Sequence, residues 1–229
     1  MQTLSQDASR LQISCPLSQS ELRKKPCDFL ERVLSGRPPS VGEVAVGADL
    51  IEKVTAGGYP EAIARKSSAR RQKWFQDHVR AVIERDVRDI SHIEYIRHMP
   101  KLLRVLATHS SQLANYSSMG ASLGIGHVTT QRYTDVLAHL FPHTNPAALV
   151  YQRTETDHQD SKLHFLDSGL LSALRNLSHR RGCNPIGRLS GHCWKHLCSR
   201  NCSSSRAGAP NASSSITFRD RYDNEVDIV

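Results

Sequence analysis

The clearest periodic pattern in the chain lies between residues 75 and 90. Glu84 and Arg88, four positions apart, form a favourable pair on the outer side of a helix in this region. The pattern predicts an amphipathic helix that packs against a core. The apolar side chains that lie near its buried face are Phe75, Val79, Val82, Val87 and Ile90.

Three shorter helices are predicted between residues 100 and 140. The first opens near Pro100, and the second follows Asn115 or Ser117 as its N-cap and runs to about Leu123. A turn at Gly124–Gly126 leads into the third helix. This order of helix, short turn and helix is the helix-turn-helix pattern. The predicted buried stripe of the third helix consists of Thr129, Tyr133, Val136, Leu137 and Leu140.

The third helix carries the candidate nucleic-acid contacts. We expect Thr130, Gln131 and Thr134 to point outward, with Arg132 nearby. Such side chains read base edges or hold phosphates. Residues 97–140 carry four basic residues and one acidic residue, a local charge of +3 that permits DNA binding without requiring it. The alternative is a three-helix packing module that binds no nucleic acid.

Short polar residues predict where two further helices begin. Leu163–Leu174 is predicted as a strand followed by a helix, with Asp167 or Ser168 as the N-cap. Ser168 before Gly169 suggests a nucleophile, but the G-x-S-x-G pattern of a nucleophile elbow is absent, and Asp167 is more simply interpreted as an N-cap. Near the start of the chain, Ser20 is a candidate cap of a short helix.

The sequence contains no nucleotide-binding signature. It has no G-x-x-x-x-G-K-[ST] segment and no G-x-G-x-x-G that opens a helix, because Gly120, Gly124 and Gly126 have a different spacing. We therefore expect neither an ATPase site nor a dehydrogenase site.

Composition narrows the class of protein further. The chain has 229 residues and a mass of 25.6 kDa, enough for one large domain or two small ones. A net charge of +8 makes a polyanionic partner conceivable. The absence of an apolar run of about 18 residues predicts no membrane span. The start of the chain lacks the apolar stretch of a secretory signal, so we expect a cytoplasmic protein.

Four of the six cysteines lie between Cys183 and Cys202. Without a secretory signal, cysteines are more often thiols or metal ligands than disulfides. Zinc binding is therefore an alternative, although the ligand spacing is irregular and the serine-rich flanks are typical of disordered chain. The leading expectation is that the chain holds no metal and no cofactor. The candidate zinc ligands are His192, Cys193, His196, Cys198 and Cys202.

Six segments, taken in order, resemble the C-terminal half of prokaryotic AAA-type ATP-binding proteins, the domain of unknown function 4143. The resemblance implies a mainly α fold with minor β (α+β). It implies a helical bundle with a helix-turn-helix or winged-helix module, followed by a remnant of a restriction-endonuclease-like α/β domain. The segments are Pro16–Leu22, Gly57–Glu61, Glu84–Asp86, Asn115–Tyr133, Lys162–Leu170 and Asn224–Asp227.

The resemblance also implies which chemistry is missing. The intact family binds ATP and Mg²⁺, and its nucleotide-binding core would precede residue 1. A nuclease of this kind needs clustered carboxylates and a lysine around Mg²⁺. Only Glu225 and Asp227 stand at matching positions, as vestiges of that site. We therefore expect no catalytic activity.

Two segments, residues 142–161 and 181–215, interrupt the resemblance. Trp194 has the single codon TGG and Lys195 begins with AA, so a shifted frame encodes a glutamate there, as the resemblance implies. We hypothesise that both segments are out of frame, and that 181–215 is disordered. The remaining divisions are 1–55 from the end of the ATPase core, 56–141 as the helical and helix-turn-helix region, 162–180 as a strand-helix element, and 216–229 as a remnant strand.

The sequence therefore favours a non-catalytic fragment of an AAA-type ATP-binding protein, with DNA as the candidate partner of its helix-turn-helix. The first alternative is a stand-alone helix-turn-helix module that binds DNA without being part of a larger ATP-binding protein. The second alternative is zinc binding by the histidines and cysteines between residues 192 and 202.

Overall fold

The computed structural model of the protein describes residues 16–25, 31–32, 35–38, 45–86, 98–140, 149–153, 161–165, 167–177, 218–219 and 225–226. Within these ranges the fold is mainly α-helical, as predicted. The helices are α1 (Gln19–Leu22), α2 (Gly47–Ala56), α3 (Pro60–Ile63), α4 (Ser68–Asp86), α5 (Met99–Thr108), α6 (Tyr116–Ala121), α7 (His127–Leu140) and α8 (Ser168–Leu174). The strands are β1 (Leu149–Arg153), β2 (Ser161–Phe165), β3 (Phe218–Arg219) and β4 (Glu225–Val226).

Helix α4 supplies one wall of the hydrophobic core. Phe75, Val79 and Val82 are buried, which confirms the predicted apolar face, and Ile83 is buried beside them. The last two members of the predicted stripe, Val87 and Ile90, lie outside the described residues, as does Arg88. Helices α5 and α8 pack against α4 and bury large apolar side chains, among them Leu102, Leu103, Leu106, Leu170 and Leu171.

The helix starts follow the predicted caps in two of three places. The side chain of Asn115 accepts from Ser118 N at 2.9 Å, and that of Asp167 accepts from Leu170 N at 2.6 Å. At α1 the prediction is wrong, because Ser18 and not Ser20 is the N-cap. Ser18 forms a capping box with Glu21, in which each side chain bonds the backbone N–H of the other residue.

Strands β1 and β2 form an antiparallel hairpin directly after α7. Leu149 pairs with Phe165 and Arg153 pairs with Ser161. The backbone of β2 is also bonded to the turn after α5, since Ser111 N donates to Leu163 O at 2.7 Å. Strand β1 lies within residues 142–161, the segment for which we hypothesise a shifted reading frame. The second antiparallel pair, β3 with β4, joins Arg219 to Glu225.

Glycine backbones and one buried carboxylate meet at a junction between the end of α2 and the start of α8. We call Gly57, Gly58, Asp167 and Gly169 the Asp167 junction. Asp167 is 3% exposed, and its Oδ2 accepts from Gly58 N at 2.7 Å. A Cβ on Gly169 would lie 2.7 Å from the backbone oxygen of Ala56, so only glycine fits without a shift.

The extended segment before α1 packs against the same junction. Leu17 N donates to Gly58 O at 2.7 Å, and a Cβ on Gly58 would lie 2.1 Å from Leu17 O. Three of the six segments that carry the family resemblance therefore meet in space: Pro16–Leu22, Gly57–Glu61 and Lys162–Leu170. Backbone and side-chain hydrogen bonds between these segments hold this part of the fold together.

Candidate nucleic-acid interface

Helices α5, α6 and α7 pack against one another, and a short turn joins α6 to α7. The turn between α6 and α7 closes through a bond from Ile125 N to Gly120 O at 3.1 Å, and Gly124 adopts a left-handed φ of +69°. A Cβ on Gly120 would lie 2.3 Å from Thr130 Oγ1. The absence of a side chain at Gly120 therefore lets α6 and α7 approach closely.

The predicted outward position of Thr130 and Thr134 is wrong. Both threonines are fully buried. Thr130 Oγ1 donates to Gly126 O at 2.9 Å, and Thr134 Oγ1 donates to Thr130 O at 2.7 Å. Because each hydroxyl donates to the carbonyl four residues earlier, both threonines can be buried without an unsatisfied polar group.

The predicted buried stripe of α7 is correspondingly displaced. Tyr133 and Leu137 are buried as predicted, whereas Thr129 and Val136 are only partly buried. The side chain of Leu140 lies outside the described residues. The sequence interpretation treated threonine as a polar, outward residue, and the i−4 hydrogen bond is what reverses that assignment.

Five of the described side chains of α7 are exposed, from the start of the helix onward, and we call the surface that they form the α7 face. Gln131 and Arg132 are exposed there, and neither forms an ion pair or a side-chain hydrogen bond with any described residue. An amide and a guanidinium held in water at this position can bond base edges or phosphates. The complete α7 face is His127, Val128, Gln131, Arg132 and Asp135.

The positive charge counted near the helix-turn-helix is spread over different surfaces. Lys101 is exposed on α5, and Arg97 lies outside the described residues. Arg104 lines a groove between α4, α5 and α8. Arg132 is therefore the single basic side chain on the α7 face, where Asp135 opposes it.

A cluster of rings between α3 and α4 was missed by the sequence interpretation. The imidazole of His78 stacks on Trp74 with ring centroids 4.9 Å apart, and Tyr59 lies 5.4 Å from His78. Arg65 lies over the ring of Trp74, with its guanidinium carbon 5.5 Å from the ring centroid. The spacing of Trp74 and His78, four residues apart on one helix, was the available signal.

Burial lowers the pKa of His78 below its ordinary value of 6.5. Glu61 opposes this effect and Arg85 adds to it. Burial and Arg85 therefore both favour the neutral form of the imidazole. Among the described residues no hydrogen bond joins His78 to a nucleophile, and the contacts of the cluster are those between its rings and Arg65.

The other predicted site residues fall elsewhere. The five candidate zinc ligands between 192 and 202 lie outside the described residues, as does Asp227. Glu225 lies in β4, opposite Arg219. In the part of the chain that the structure describes, no group of three or more His, Cys, Asp or Glu residues is arranged to hold a metal ion.

The described part of the chain is mainly α-helical, and α5, α6 and α7 pack against one another in it. A family model described as a domain of unknown function, DUF8612, matches residues 47–181. Because this match spans more than half of the sequence, the chain belongs to that family. No curated protein and no solved structure matches the chain. None of the described helices is long and apolar enough to cross a membrane.

Proposed function

We propose that this protein is a non-catalytic module that binds DNA through the α7 face. The observation that carries the proposal is the exposure of Gln131 and Arg132 on the second helix of a helix-turn-helix, with neither side chain bonded to a described residue. In this motif the second helix enters the major groove. With one arginine on the face, the expected binding is weak and depends only modestly on salt, by about one phosphate contact.

The hairpin after α7 supports a winged-helix interpretation. Strands β1 and β2 follow the helix-turn-helix and contact it, as a wing does. Residues 154–160 connect the two strands and carry three acidic side chains. We therefore assign phosphate contact to α7 and not to the hairpin.

The resemblance to AAA-type ATP-binding proteins sets the wider proposal. The chain would be a fragment of such a protein, with the remnant of its nuclease-like domain after residue 216. The lack of a phosphate-binding loop in the sequence supports a non-catalytic role. A module that works alone is the alternative, and both versions use the same α7 face.

The frameshift hypothesis adds a test of its own. In the shifted frame, residues 142–161 include basic side chains in place of the acidic ones. Resequencing the gene should recover intact codons of that frame. Protein made from the restored frame should bind DNA more tightly than this chain, because phosphate contacts add to affinity. Equal affinity would show that the basic side chains of the restored frame do not contact DNA.

The proposed function is tested by titrating a fluorescent DNA duplex with the protein at several salt concentrations. We expect binding at about 50 mM salt that weakens about threefold to fourfold towards 200 mM, as one phosphate contact implies. Arg132→Ala should weaken binding about tenfold at low salt. It should also reduce the slope of log affinity against log salt concentration by about one. The matched control is Arg70→Ala, which removes an exposed arginine from α4. Equal loss in both variants, or no binding at low salt, would refute the proposal.

A further inference from the structure

A groove of about 190 Å³ opens where α4, α5 and α8 meet. Its volume is that of roughly six water molecules, which is room for a small organic molecule. The floor is apolar, with Phe75, Val79, Leu170 and Leu174 among the lining residues. Two arginines also line the groove, Arg80 from α4 and Arg104 from α5. The combination of an apolar floor and a few polar groups is the usual composition of a small-molecule site.

The two arginines differ from the other well-placed arginine of α4. Arg71 is buried, and its guanidinium is paired with the carboxylate of Glu52. Arg80 and Arg104 are exposed, and neither pairs with a carboxylate of any described residue. Because guanidinium groups remain charged in proteins, the groove presents two unneutralised cations beside an apolar surface.

We propose that this groove binds a small carboxylic acid with a short alkyl chain. The chain lies on the floor formed by α4 and α8, where its burial removes apolar surface from water. The carboxylate lies at Arg80 and Arg104, where charge-assisted hydrogen bonds hold it. The groove is lined by residues of α4, α5 and α8 and by none of the α7 face, so this proposal does not rest on DNA binding.

The ligand chemistry is tested with hexanoate, hexanol and acetate, each titrated into the protein and followed by NMR chemical shifts. Hexanoate should bind with a saturable curve. Hexanol lacks the charge and acetate lacks the chain, so each should bind at least about tenfold more weakly. Absence of saturable hexanoate binding would overturn the proposal, and so would equal binding of hexanol.

Variants locate the binding in the groove. Arg80→Ala and Arg104→Ala should each weaken hexanoate binding about tenfold, because a hydrogen bond to a charged group is lost. Ala173→Phe places a ring in the groove and should abolish binding, with urea unfolding as the check that this variant folds. Arg70→Ala, which removes an exposed arginine of α4 that does not line the groove, is the control and should leave hexanoate affinity unchanged. Unchanged affinity in the double variant of Arg80 and Arg104 would refute the site.

Discussion

The Asp167 junction and the α7 face use polar residues in opposite ways. In the junction, each carboxylate oxygen of Asp167 accepts a backbone N–H, and one of these bonds joins residues 109 positions apart in the sequence. On the α7 face, Gln131 and Arg132 have no described partner. Polar groups satisfied inside a protein stabilise its fold, whereas polar groups left in water remain available to a ligand. The residues that stand out most in the sequence thus form the scaffold.

The largest effect should come from the junction carboxylate. Asp167→Ala removes the N-cap of α8 and leaves the buried N–H of Gly58 without its acceptor. We expect a loss of about 3 kcal/mol in the free energy of unfolding, measured by urea denaturation. The control is Asp135→Ala on the α7 face, which should change stability by less than about 0.5 kcal/mol. Similar losses in the two variants would contradict the contrast between the regions.

A smaller loss is expected when a methyl group enters the junction. Gly169→Ala puts a Cβ 2.7 Å from Ala56 O and 2.8 Å from the Cα of Gly57. Overpacking against backbone should cost about 2 kcal/mol, more than alanine gains over glycine inside a helix.

A second glycine variant, measured by thermal and urea unfolding, tests whether overpacking against backbone causes the loss. A Cβ on Gly126 would have no atom within 4 Å, so Gly126→Ala should change stability by no more than about 1 kcal/mol, the range of an N-cap substitution. A stable Gly169→Ala protein would show that the close approach of α2 and α8 is not required.

The ring cluster predicts a pH dependence that neither region supplies. Because burial lowers the pKa of His78, the unfolded chain binds a proton at pH values where the folded chain resists it. The contribution of His78 to stability is therefore complete above pH 6.5, the ordinary value, and declines as the pH falls below it. Urea unfolding of the wild type and of His78→Phe should show a smaller acid-induced loss in the variant. Identical pH profiles would contradict the neutral, buried imidazole.

The smallest effect is expected at the buried threonine of α7. Thr134→Val keeps the shape of the side chain and removes a hydroxyl that bonds only Thr130 O within the described protein. Stability should change by about 1 kcal/mol or less, and DNA affinity by less than about twofold. A fluorescence titration checks this. A tenfold loss of DNA binding would restore Thr134 to the interface.

Periodicity in the sequence predicted the packing helix α4. Single residues predicted the start of α5, the turn between α6 and α7, and the cap at Asp167. These features depend on neighbours within a few residues, so local pattern is sufficient. The Asp167 junction was not predictable, because it joins glycines and a carboxylate that only the tertiary fold brings together. The predicted orientation of α7 was wrong for a local reason. The hydroxyls of the buried threonines bond carbonyls of the same helix or of the turn before it, so these side chains need no contact with water.

The most direct test of the difference between the two regions is a map of backbone amide chemical shifts as a DNA duplex is added at low salt. We expect shifts at Gln131 and Arg132 that become smaller as the salt concentration rises, with Gly58 and Gly169 unchanged. Shifts confined to other helices, or none at low salt, would contradict the assignment of the α7 face as the DNA-binding surface.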